Sequence, residues 1–131
     1  MNYVLDTSAV LAHLRDEPGA EVMGTLVFRS QASLYIHAVN ALEIYYKLSA
    51  YYDEEMAGET LENLARSGVE THDTLPPDML LRAGFFKGRY QFLSLADCVC
   101  FALAEHLSAE LLTADRPFGK VHEGVRVTLI R

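Results

Sequence analysis

Apolar positions along this chain switch repeatedly between short β-forming runs and helical spacing. Tyr3-Val4-Leu5 is a run of strand formers; Asp6-Thr7-Ser8 supplies side chains that cap helices, and Val10, Leu11 and Leu14 follow at helical spacing. Pro18-Gly19 breaks that helix, and Val22, Met23, Leu26 and Val27 predict a second one ending at Ser30. Ser33-Leu34-Tyr35-Ile36 reads as a second strand. Val39, Leu42, Tyr45, Tyr46 and Leu48 fit a helix from Val39 to Tyr51, and a more polar helix spans Glu54 to Arg66.

The second half repeats this alternation. Val69-Glu70-Thr71-His72 predicts a short third strand after Gly68. Pro76-Pro77-Asp78 starts a helix through Met79, Leu80, Ala83 and Phe86, whose far end is blurred by Gly84 and Gly88. Ser94-Leu95-Ala96-Asp97 opens the most apolar helix, Cys98 to His106, which should be buried on most sides. Leu111-Leu112-Thr113 is a strand, Asp115-Arg116-Pro117-Phe118-Gly119 a turn, and Val125 to Ile130 a last alternating strand. Strands separated by helices predict an α/β fold with a mostly parallel sheet, whose ligand site lies beyond the carboxyl ends of its strands.

A chain of 131 residues, 50% hydrophobic and 22% charged, fits one domain over residues 1–131. No apolar run reaches membrane-spanning length and the first residues lack an export signal, so a cytoplasmic protein is expected. Cys98 and Cys100 are too close for an ordinary bridge and read as reduced, packed thiols. His13, His37, His72, His106 and His122 show no ligand spacing.

The chemistry lies in the acids. Asp6 and Asp115 fall at predicted strand ends, Glu43 within a helix, and Asp97 at the start of the most apolar helix. Each has an ordinary explanation. Asp6 is a good N-cap, Glu43 can pair with Lys47 one turn on, Asp97 with Ser94 resembles a capping box, and Asp115 suits a turn. One divalent-metal site accounts for all four together, since gathered carboxylates repel unless a cation lies among them. Phosphodiester hydrolysis is therefore the leading expectation.

A net charge of -7 and a pI near 5.1 have the wrong sign for gripping nucleic acid through overall charge. Local cations must then do it: Arg116 and Lys120 beside the expected site, Lys87 and Arg89 on the approach to Asp97, and Lys47 along the same path. Tyr45, Tyr46, Tyr51 and Tyr52 read as packing residues rather than base-stacking ones.

Val4-Leu5-Asp6-Thr7-Ser8-Ala9, Asn40-Ala41-Leu42-Glu43, Leu95-Ala96-Asp97 and Leu112-Thr113-Ala114-Asp115, in that order, resemble the PIN-domain ribonucleases, particularly the toxins of VapBC-type toxin-antitoxin pairs. The resemblance spans nearly the whole chain. It implies a three-layer α/β/α fold with a five-stranded sheet, a homodimer, an antitoxin partner, and Mg2+- or Mn2+-dependent endoribonuclease activity with one or two ions. Asp6, Glu43, Asp97 and Asp115 would be the metal-holding catalytic set, supported by Thr7, Ser8 and Thr113. Two other readings compete: a PIN-like module kept for protein association, and a phosphotransferase using Asp6 as nucleophile. The second usually needs another Asp where Ser8 stands.

Overall fold

The computed structural model describes residues 1–29 and 31–131. Five strands, β1 (Asn2–Leu5), β2 (Ser33–His37), β3 (Val69–His72), β4 (Glu110–Thr113) and β5 (Val127–Leu129), form one sheet in the order β3-β2-β1-β4-β5. Every pairing is parallel. The helices are α1 (Thr7–Leu14), α2 (Ala20–Arg29), α3 (Ala38–Tyr51), α4 (Glu54–Arg66), α5 (Pro77–Arg89) and α6 (Leu95–His106). Ser30 and the Val27 side chain, both part of the expected second helix, lie outside the described residues.

The sheet divides the core in two. Side chains alternate across a strand, so Leu5, Leu34, Ile36 and Leu112 join α1 to α4 on one face. Val4, Tyr35 and Leu111 join α5 and α6 on the other. This is the expected three-layer arrangement. From Cys98 to Ala104 every residue of α6 is buried, both cysteines are free thiols, and α6 packs against β1, β2 and β4.

Three local expectations change. The expected turn at Asp115–Gly119 is a 3-10 turn at Arg116–Lys120, anchored by the fully buried Phe118. The last strand is shorter, Val127–Leu129 rather than Val125–Ile130, although Ile130 N–H still donates to Thr113 O at 2.9 Å. On α3 the buried stripe is Asn40, Ile44 and Leu48, whereas Leu42 and Tyr46 are exposed. The buried polar Asn40 moves the inward face away from the one that hydrophobicity alone selects.

Chain order reverses at β1, which has β2 on one side and β4 on the other. At such a switch point the connections leave in opposite directions and open a crevice beyond the strand ends. Asp6 follows β1 and Asp115 lies just past β4, so both acids reach the crevice from adjacent strands.

Candidate active site

Asp6 is the N-cap of α1 and is buried, with 3% of its surface exposed. Its Oδ2 accepts from Ser8 Oγ at 2.6 Å and from Thr113 Oγ1 at 2.8 Å. Ser8 Oγ in turn accepts from Ala114 N–H, and Thr113 Oγ1 from Asp115 N–H, each at 2.9 Å. Both hydroxyl protons are thereby committed to Asp6, so the 3.1 Å approach of Ser8 Oγ to Thr113 Oγ1 is a close contact and not a further bond. These bonds hold Oδ2, while Oδ1 takes none among the described residues.

Asp97 does two jobs. Its Oδ2 accepts from Ser94 N–H at 2.9 Å and its own N–H donates to Ser94 Oγ at 3.0 Å, the reciprocal capping box that the sequence suggested. The same carboxylate lines a pocket of about 230 Å³ together with Asp6, Thr7, Ser8, Glu43, Lys47, Ser94 and Asp115. Glu43 enters from α3 and meets Lys47 at 3.7 Å. Asp115 precedes the 3-10 turn, and its carboxylate makes no capping bond there.

The electrostatics record this crowding. Burial pushes the Asp6 carboxyl up to about 6, against the pull of the Ser8 and Thr113 hydroxyls, and the Asp97 charge adds to the rise. Asp97 is raised as well, chiefly by burial, with the charges of Glu43 and Asp115 contributing. The four acids thus feel one another without a basic partner at Asp6 or Asp97 to relieve them. They do not yet close on one point: among the described residues no three Asp, Glu, His or Cys side chains stand as a ready ligand set. An open set of carboxylate and hydroxyl oxygens suits a hard, oxygen-seeking divalent cation such as Mg2+ or Mn2+ and would have to draw in around it.

Asn40, whose position the motif included without a role, ties the site's elements together. Its side chain is fully buried, and Nδ2 lies 3.5 Å from Thr7 Oγ1 and 3.4 Å from Ala96 O. Thr7 Oγ1 reaches back to Asn40 O at 3.4 Å. The starts of α1, α3 and α6 therefore meet at one amide. A polar residue one turn before Glu43, in the apolar first turn of α3, is the sequence signal for it. His37 proves structural: Nδ1 accepts from Val39 N–H and caps α3, which leaves Nε2 to donate to Thr74 O at 2.9 Å.

The expected phosphate-binding cations separate. Lys87 donates to the carbonyls of Gln91 and Leu93, fastening the link between α5 and α6. Arg89 is held by Glu123 at 2.8 Å. Arg116 and Lys120 are exposed and unpaired among the described residues. Of the four tyrosines, Tyr45 packs on the core as expected, whereas Tyr46, Tyr51 and Tyr52 are exposed. A larger cavity, about 510 Å³, lies at the opposite end of the sheet. Its acids are engaged, Glu105 by Arg82 and Glu110 by Thr128.

An acidic pocket at the switch point of an all-parallel, three-layer sheet defines an α/β protein with an oxygen-rich site at the carboxyl ends of its strands. The chain belongs to the PIN domain family, whose profile matches residues 3–124. Among solved structures it is similar in fold to VapBC2 from Rickettsia felis bound to a promoter DNA fragment, with a TM-score of 0.78, 16% identity and 98% of each chain covered. It is similar to DNA-bound VapBC from Salmonella typhimurium, at a TM-score of 0.76 and 12% identity over 100% of this chain and 99% of that one. The sarcin-ricin-loop-cleaving toxin VapC20 of Mycobacterium tuberculosis matches at 0.72 and 15% identity, covering 95% and 98%. No curated protein matches the chain in sequence. No helix among the described residues is long and apolar enough to cross a membrane.

Proposed function

We propose that this PIN-domain protein is a VapC-like endoribonuclease that hydrolyses RNA phosphodiesters with the help of Mg2+ or Mn2+. The observation that carries the reading is the convergence of Asp6, Glu43, Asp97 and Asp115 on one pocket in which, among the described residues, Lys47 is the sole basic side chain. Those four carboxylates would hold one or two ions, which when bound supply positive charge against the phosphate and activate water.

The chain's own part is positional. The Ser8 and Thr113 hydroxyls fix Asp6 Oδ2 and would leave Oδ1 for a cation, while the backbone N–H of Ser94 fixes Asp97 Oδ2. Neither Ser8 nor Thr113 has a hydroxyl proton to spare, so they orient the acid and do not exchange protons with substrate. Water adds to phosphorus, the bond to the 3' oxygen breaks, and that oxygen leaves as a hydroxyl after taking a proton. Arg116 and Lys120, exposed and unpaired, are suited to the flanking phosphates.

Fold relatives that are toxin-antitoxin complexes support a small antitoxin as partner and regulation by its binding. The exposed Leu42 and Tyr46 of α3 and Leu80, Leu81 and Phe85 of α5 give apolar surface for such a protein or for a second copy in a homodimer. A labelled RNA panel incubated with Mg2+, with Mn2+ and with chelator tests the activity. Cleavage with either ion and none with chelator is expected. RNA that is bound but stays whole under every condition would mean an association module.

A further inference from the structure

Lys47 is held differently from Lys87 and Arg89. It lines the acid pocket, its Nζ lies 3.7 Å from Glu43 Oε2, and its side chain is 44% exposed. A charge-assisted hydrogen bond is closer, about 2.7–2.9 Å, and an exposed helical pair of this kind is weak. The ammonium is thus held loosely, with its donors unspent, whereas Lys87 is fastened to two carbonyls and Arg89 to Glu123.

We propose that Lys47 exchanges partners when the pocket loads: it is the counter-ion of Glu43 in the metal-free protein, and the phosphate ligand once a divalent cation takes that carboxylate. The inference rests on the reading of the pocket as a metal-dependent RNA-cutting site. An ammonium and a dication sharing one carboxylate repel each other, so each disfavours the other on Glu43. An RNA phosphate meets the opposite situation. It approaches a pocket lined by four carboxylates and needs positive charge at the rim, and Lys47, one turn from Glu43, is the cation already there. Lys47 therefore weakens metal binding and strengthens substrate binding, a pair of opposed effects that a mere helix-surface ion pair does not produce.

Lys47→Met and Lys47→Arg in the full chain test this with two measurements. Titration with Mn2+ alone, followed calorimetrically or by electron paramagnetic resonance, should show Lys47→Met binding the ion about threefold tighter or more than the parent, as expected when a competing charge leaves. On a labelled single-stranded RNA that the parent cuts, Lys47→Met should raise KM about fivefold with little change in kcat. The fall of log kcat/KM with log salt should become shallower by about 0.7, the loss of one phosphate contact. Lys47→Arg should restore the salt slope. Unchanged or weaker Mn2+ binding, or an unchanged salt slope, overturns the exchange while the activity stands. A parent that neither takes up Mn2+ nor cuts any RNA overturns the activity and the exchange with it.

Discussion

Thr113 Oγ1 donates to Asp6 Oδ2 at 2.8 Å, joining the end of β4 to the first residue after β1 across 107 positions of sequence. Bonds to the ionised form of a buried acid hold its pKa down, and here they oppose a burial that has already raised Asp6 to about 6. Thr113→Val keeps shape and removes the donor. The acid limb of a cleavage pH profile should move upward by about one unit, and Thr113→Ser should restore it. An unmoved limb would separate Thr113 from the ionisation of Asp6.

Asp6→Asn should stop metal-dependent cleavage and stabilise the metal-free protein. The folded-state pKa of Asp6, about 6, lies above its ordinary 3.8, so the folded protein binds the extra proton between those values. That contribution to stability is present at low pH and is lost as pH rises through about 6, at a cost of about 3 kcal/mol. Urea unfolding at pH 8 should show Asp6→Asn more stable than the parent by about 1–3 kcal/mol, with the difference shrinking toward pH 4. A destabilised variant at pH 8 would contradict the uncompensated burial of this carboxylate.

Millimolar Mn2+ or Mg2+ should raise Tm at pH 7.5, because a cation that binds only the folded pocket stabilises it by mass action. Near pH 5 Asp6 is mostly protonated, and the rise should be largely abolished. Chelator should reverse the rise at pH 7.5. Equal shifts at both values, measured by differential scanning calorimetry, would place the ion elsewhere.

Arg116→Ala and Lys87→Met should part company. Arg116 is exposed and unpaired among the described residues, so its loss should weaken RNA binding and flatten the salt dependence while leaving Tm within a degree or two. Lys87 fastens the carbonyls of Gln91 and Leu93, and its loss should lower stability by about 1–3 kcal/mol with the salt slope intact. The reverse pattern would show that the two roles have been exchanged.

The alternation of strand formers with helical spacing foretells the layers of this fold, because Val4, Leu5, Leu111 and Leu112 point alternately to two cores and both must be apolar. The acids were legible because their order along the chain survives folding and the strand ends place two of them. Hydropathy misreads α3 since Asn40, a polar side chain, holds an inward position that Leu42 was expected to share. Lys87 looked like an RNA contact because sequence records its charge but not the two carbonyls that claim it. Asp97 shows that an ordinary role and a chemical one need not compete: one oxygen caps α6, and the carboxylate still faces the pocket.

The strand order carries a consequence for biosynthesis. With β1 at the centre and β4 beside it, Asp6 emerges from the ribosome long before Thr113 and Asp115, the groups that complete its surroundings. A nascent polypeptide still short of β4 has neither the central sheet neighbour of β1 nor the fourth acid. If the centre cuts RNA as proposed, one built this way stays inert next to the RNA-rich machine that makes it until β4 and Asp115 have emerged.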